Sequence, residues 1–189
     1  MFSALFRKKN SKQREVYQKA EALYSQALLQ TREPVFYTEM GVPDTFDGRF
    51  DLLLLHIFIL YYKYYDEEYY KTLAQNLFDI TFQDMDQTLR EMGIGDMGVP
   101  KHQKRMMKAF NGRMHNYMAA VAPERLDADT LSRINKGTLE DVLMRNLYGS
   151  CTEDVDKEAL RKITEYITAN INSPLKDDAV FVNPLKKAG

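Results

Sequence analysis

Leu52-Leu53-Leu54-Leu55-His56-Ile57-Phe58-Ile59-Leu60-Tyr61-Tyr62 is the longest apolar run in the 189-residue chain. It is eleven residues long and carries a histidine, whereas a bilayer crossing takes about 20 apolar residues. The run therefore reads as the middle of a buried core helix, from about Asp47 to Lys63. His56, set among apolar neighbours, is expected to be a satisfied core or interface histidine rather than a ligand.

Working outward from that helix, the 3.6-residue period dominates and no strand series emerges. Upstream, Val16, Ala20, Leu23 and Ala27 mark one face of a helix from Ser11 to near Pro34, followed by a Gly- and Pro-containing loop from Glu39 to Asp44. Downstream, Asp66-Glu67-Glu68 opens a third helix, since carboxylates suit the positive end of the helix dipole. Its core stripe reads Tyr70, Leu73, Leu77, Phe78, Phe82, Met85, Leu89 and Met92, and Gly93 stops it. Pro100 is a natural first residue for a fourth helix, whose buried face is Met106, Phe110, Met114, Tyr117 and Val121. Two short helices are expected over Asp129–Lys136 and Leu139–Tyr148, and an amphipathic one from Asp154 to Asn172. The expected architecture is an all-α single-domain bundle of about seven helices over residues 11–173, with sequential helices packed mostly antiparallel. A basic segment (1–10) precedes it and a loose tail (174–189) follows, with Phe181-Val182 a candidate for docking.

Composition narrows the function. With 44% apolar and 28% charged residues the chain can bury a core, which excludes wholesale disorder. The single cysteine, Cys151, excludes an intramolecular disulfide and the Cys-rich zinc modules. Net charge is −1, from 26 basic and 27 acidic residues, so no DNA partner is expected. The N-terminus places Phe2, Leu5 and Phe6 before the cations, the reverse of a secretory signal, so a cytoplasmic location is expected. Residues 1–19 carry six cations against one acid, hence +5, leaving −6 for the remainder. Phe2, Leu5 and Phe6 beside Arg7, Lys8 and Lys9 could touch an anionic membrane surface, against a frayed, solvated terminus as the plainer reading.

Catalytic signatures are missing: there is no His-Glu-x-x-His, no Glu-x-x-His pair and no glycine-rich phosphate loop. Asp79, Gln83 and Asp86 share one face of the third helix, with Asp84 nearby, a row that could hold a cation only if a second helix offered ligands; no metal and no cofactor are expected. Arg49 and Arg113 each follow a glycine in a Phe-x-Gly-Arg core, and at least one of them is expected to pair with Asp79, Asp84 or Asp86. Lys101, His102, Lys104, Arg105 and Lys108 put cations at the positive end of the fourth helix. Pairing with Glu91 and Asp96 is one explanation, a docking surface for an anionic partner the other. Six tyrosines between Tyr61 and Tyr70 cannot all face one core, so some, with Tyr61 and Tyr65 as candidates, are expected to offer a protein-binding face.

Taken together, Pro43-Asp44-Thr45-Phe46-Asp47-Gly48-Arg49-Phe50-Asp51 leading into Leu55-His56, then Leu77-Phe78-Asp79, Phe82-Gln83-Asp84-Met85-Asp86, Leu89-Arg90-Glu91-Met92-Gly93-Ile94-Gly95-Asp96, Val99-Pro100-Lys101 and Ala109-Phe110-Asn111-Gly112-Arg113 resemble the ubiquinol–cytochrome c chaperone family. The resemblance runs from about Tyr37 to Tyr117. Asn111, where the family commonly has an aromatic, His102 in a segment usually richer in lysine, and the tyrosine run depart from the pattern. The resemblance implies a non-enzymatic assembly factor of the respiratory cytochrome bc1 complex that binds newly made cytochrome b and holds it for haem acquisition. In mitochondrial members it also implies a small partner assembly protein and a ribosome contact; the short start here looks more like a bacterial relative. Location would then be cytoplasmic with a peripheral contact at the inner membrane, on the matrix side in a eukaryote. The alternatives are a metal-dependent hydrolase using Asp79, Asp84 and Asp86, and a general peripheral membrane adaptor.

Overall fold

Eight α-helices and one 3-10 turn are found among the described residues: α1 (Phe2–Gln30), α2 (Val35–Thr38), α3 (Phe46–Tyr64), α4 (Tyr70–Glu91), α5 (Val99–Val121), the 3-10 turn Pro123–Arg125, α6 (Ala128–Arg133), α7 (Leu139–Asn146) and α8 (Lys157–Asn172). The computed structural model describes residues 2–149, 155–176 and 179–182, with side chains from residue 11 onward. The quoted apolar run lies in α3, which is buried continuously from Leu52 to Leu60 and packs against α1, α4, α5 and α8. A helix without a polar face is stable only when surrounded in this way.

The ends of the helices follow local chemistry. The Thr45 side chain accepts from the Gly48 N–H and so starts α3. Pro100 sits in the first turn of α5. Asp127 and Asp156 cap α6 and α8, and Thr138 with Asp141 forms a reciprocal capping box at α7. Core positions expected on α1 are buried (Val16, Ala20, Leu23, Ala27), as are Leu73, Leu77, Phe82, Met85 and Leu89 on α4.

Four expectations need correction. Helix α1 begins at Phe2, nine residues before Ser11, because nothing between them breaks a helix: the stretch has neither Gly nor Pro. The four-residue α2, too short for a periodic signal, escapes sequence reading, yet Phe36 from it is fully buried between His56 and Tyr166. Helix α4 starts at Tyr70, not at Asp66. The acids before it reach sideways instead, Glu68 to Lys12 on α1 (3.1 Å) and Asp66 to Arg125 (3.1 Å). Met92 is 55% exposed beyond the end of α4 rather than in its core stripe.

After Pro174 the chain returns to the body. Val180 is buried, the Val182 N–H donates to Asn170 Oδ1 (2.9 Å), and the Phe181 ring meets His56 edge-on at 5.2 Å. Lys63 Nζ at the end of α3 reaches the Asn170 carbonyl (3.3 Å) and the Ser173 hydroxyl (2.6 Å), placing a cation at the negative end of α8.

Candidate functional site: the α5 ridge and its two grooves

Helix α5 turns Val99, Met106, Phe110, Met114, Tyr117 and Met118 inward. At 100° per residue Lys101, Lys104, Arg105, Lys108 and His115 point away from that face, with Asn111 at its edge, and all six are exposed. This stripe runs about 21 Å along the helix. Lys101, Lys104 and Lys108 make no ion pair among the described residues. Pairing with Glu91 and Asp96, one of the two explanations the sequence left open, is not formed: Asp96 is taken by Arg90, and Glu91 accepts from Gln87 (2.8 Å). His102 falls on one flank of the helix and is half-buried, and Arg105 leans toward that flank.

That flank borders a groove of about 310 Å³ between α5, the start of α3 and the end of α7. Arg113 Nη2 lies 2.7 Å from Asp51 Oδ1, and its Nε donates to the Asn146 carbonyl (3.2 Å). Both side chains of the pair are shielded, 20% and 13% exposed. Burial pushes the Asp51 carboxyl up to about 6, against the pull of Arg113. Arg105 approaches Asp47 at 3.6 Å across the same groove.

The expected pairing of Arg49 or Arg113 with Asp79, Asp84 or Asp86 is therefore corrected. Arg49 Nε binds Asp44 (2.6 Å) and its guanidinium covers the Tyr37 ring, while Arg113 turns to α3, the helix packed beside α5. The α4 acids have their own local partners. Asp79 accepts from Gln75 (2.8 Å), Asp84 from the buried Tyr24 hydroxyl (2.7 Å), and Asp86 from Arg90 (2.6 Å) and Gln103 (3.2 Å). Among the described residues no group of three or more His, Cys, Asp or Glu could hold a metal ion, so the convergence a metal-dependent hydrolase requires is not present there.

The other flank of α5 borders a larger groove, about 550 Å³, walled by Tyr61, Tyr65, Tyr70 and Phe78 and rimmed by Lys71, Asn111, His115 and Arg125. Phe110 forms its floor, with Phe78 edge-on at 5.2 Å. Tyr64 is fully buried and the other five clustered tyrosines are half-buried, so the run builds a groove wall rather than an exposed face. Their hydroxyls are tied back: Tyr61 donates to the Ala74 carbonyl (2.8 Å) and Tyr65 to that of Arg125 (3.2 Å). Burial raises the Tyr61 hydroxyl well above the ordinary tyrosine value and raises that of Tyr70. Arg125, which sequence reading missed, stacks its guanidinium on Tyr62 (4.4 Å) and Tyr65 (4.5 Å) and donates to the Tyr62 carbonyl (2.9 Å). Only the Pro-Glu-Arg turn after α5 hinted at it, and nothing local in the sequence places it some sixty positions back along the chain.

The structure thus brings Tyr61 and Tyr65 to the same helix as the cations, while the Arg49–Asp44 and Arg113–Asp51 pairs brace the beginning of α3. His56, neutral and pushed down to about 4 by burial, bonds Leu52 O (2.8 Å) and Tyr166 Oη (3.0 Å) as part of the core. The side chains of Phe2, Leu5, Phe6, Arg7, Lys8 and Lys9, and all of Cys151, lie outside the described residues.

The model of the family described as "Ubiquinol-cytochrome C chaperone" matches residues 38–176, a span holding α3 to α8, the ridge and both grooves. The chain belongs to that family. The crystal structure of the Cbp3 homolog from Brucella abortus superposes on this chaperone with a TM-score of 0.65, at 31% identity, covering 91% of this chain and 87% of that one. No curated protein matches it. The chaperone is all-helical among its described residues, and none of its described helices is long and apolar enough to cross a membrane.

Proposed function

We propose that this chain is a non-enzymatic assembly factor of the ubiquinol–cytochrome c reductase (bc1) complex that binds newly synthesised cytochrome b. The observation that carries the reading is the family match over residues 38–176, which contains the whole α5 ridge and its aromatic groove. Half-buried aromatic walls offer apolar contact to a membrane-protein client before it is assembled. The cations Lys101, Lys104, Arg105 and Lys108 suit acidic loops of that client, of a small partner assembly protein or of a ribosomal surface. His102, half-buried one turn before Arg105, flanks this face. The site of action is the cytoplasmic surface of the inner membrane, or its matrix side in a eukaryote.

The test is co-purification of cytochrome b with the affinity-tagged chain, alongside bc1 content measured by reduced-minus-oxidised haem spectra. The double variant Lys108→Glu/His115→Glu changes two exposed side chains beside the groove, and should lower both readouts with circular dichroism unchanged. Normal assembly in that variant removes this face as the client site. Failure of the wild-type chain to retain any cytochrome b overturns the reading.

A further inference from the structure

The link between α4 and α5 is an apolar tip backed by unpaired cations. Met97 is 97% exposed and Met92 55% exposed, with Ile94 between them in the chain half-buried. A side chain built at Gly93 or Gly95 would meet nothing within 4 Å, so the link projects into open space, and Gly93 (φ +83°) turns the chain there. Along α5, directly behind the tip, Lys101 and Lys104 make no ion pair among the described residues, and Arg105 only approaches Asp47, at 3.6 Å. Residues 86–108 carry five cations, Arg90, Lys101, Lys104, Arg105 and Lys108, against Asp86, Glu91 and Asp96, hence +2 in a chain of net −1, with Arg90 held by Asp86 and Asp96.

We propose that this tip seats on an anionic bilayer surface, with Met92 and Met97 entering the headgroup boundary and Lys101, Lys104 and Arg105 over lipid phosphates. The proposal rests on the reading of the α5 ridge as the working face and divides that face. Its N-terminal end meets lipid, and Lys108 with the aromatic groove is left to the protein client. Two features select a bilayer over other anionic partners. The apolar residues stand at a convex tip, whereas both grooves that could receive a protein segment lie farther along α5. A nucleic acid would engage the cations and leave two methionines in water, while apolar residues first and cations behind is the layering of a membrane interface.

Height along the helix makes the proposal quantitative. With α5 standing on the surface, Lys101 and Lys104 lie about 3 and 8 Å behind Val99, and Lys108 about 14 Å. The field of the leaflet decays over about 8 Å at physiological salt. Lys101 and Lys104 therefore carry most of the attraction and Lys108 little.

Sedimentation of the purified full chain with phosphatidylcholine vesicles, and with vesicles also containing phosphatidylglycerol, tests this. Binding is expected only to the anionic vesicles and is expected to fall with added salt. Each cation lost at Lys101 or Lys104 should weaken partitioning about fivefold, so Lys101→Glu/Lys104→Glu nearly abolishes it, whereas Lys108→Glu changes it little. Met97→Asp, at a fully solvated position, should weaken it without altering the melting curve. The proposal is overturned by an absence of binding to anionic vesicles, or by binding that survives both Met97→Asp and Lys101→Glu/Lys104→Glu. Loss of binding only in Arg7→Glu/Lys8→Glu/Lys9→Glu also overturns it and moves the contact to the N-terminus. Vesicle binding unchanged in Met97→Asp while cytochrome b recovery drops assigns the tip to a protein and overturns it as well. Cytochrome b capture is scored separately with Lys108→Glu/His115→Glu. Failed vesicle binding leaves the chaperone reading intact, and failed capture with vesicle binding retained leaves a peripheral membrane adaptor.

Discussion

The two Phe-x-Gly-Arg cores look alike in sequence, but their glycines do different work. A Cβ on Gly48 would stand 2.1 Å from the Pro43 carbonyl oxygen, a backbone atom that cannot swing aside. Gly48→Ala should therefore cost about 1–3 kcal/mol through forced displacement of the turn into α3. Gly112 faces open space within α5, so Gly112→Ala should stabilise by up to about 1 kcal/mol from helix propensity alone. Urea unfolding of both variants checks the pair, and equal effects would mean that the echo is structural after all. Titration separates two other residues. His56 is held from its ordinary 6.5 down to about 4, so the fold prefers it neutral and loses stability as pH falls through that window. Asp51 is held from 3.8 up to about 6, so the fold prefers it protonated, and its contribution is lost as pH rises through that range. Over pH 4 to 6 the two slopes oppose each other. Asp51→Asn removes one of them, and its stability should fall more steeply on acidification than that of the wild type; an unchanged slope would show that Asp51 ionises normally.

At the scale of elements, α3 was legible because its eleven-residue apolar run admits no solvent face, and α5 because Pro100 and an apolar period announce it. Helix α2 was not, since four residues cannot display a period, and its buried Phe36 owes its place to partners twenty and more residues away. The same limit explains the arginines. That Arg113 needs a carboxylate follows from its chemistry, but the choice of Asp51 over Asp79, Asp84 or Asp86 depends on α3 lying beside α5, which local spacing does not encode. Arg125 is the clearest case, and its role can be measured. It ties the 3-10 turn to the end of α3 through two rings, one carbonyl and Asp66. Arg125→Lys keeps the charge but loses the flat stacking face and the fork. A loss of about 1–2 kcal/mol is expected, with amide exchange quickened over residues 122–133 and in the wall of the aromatic groove. Exchange confined to α8 would locate the clamp wrongly.

For the whole molecule, the two ends of the chain are unequal, although the sequence presents both as polar appendages. From residue 11 onward, α1 turns Val16, Ala20, Leu23, Tyr24 and Ala27 into the core, and it packs on α3 and α4. The C-terminal stretch contributes to the core itself: Val180 is 1% exposed, Phe181 closes over His56, and Asn170, buried in α8, holds the Val182 amide. With those core contacts kept, a chain lacking residues 1–10 should retain a single cooperative unfolding transition, while the net charge falls from −1 to −4 with the loss of Arg7, Lys8 and Lys9. Removing everything after residue 179 should cost about 2 kcal/mol for the buried valine alone. It should also open His56 to water and raise its pKa towards 6.5, so this truncation should lose less stability on acidification than the full chain. Thermal unfolding of the two truncations at neutral and acid pH decides the matter. The reverse ranking, a collapse without residues 1–10 and indifference to the C-terminal cut, would place the structural boundary at the other end of the chain.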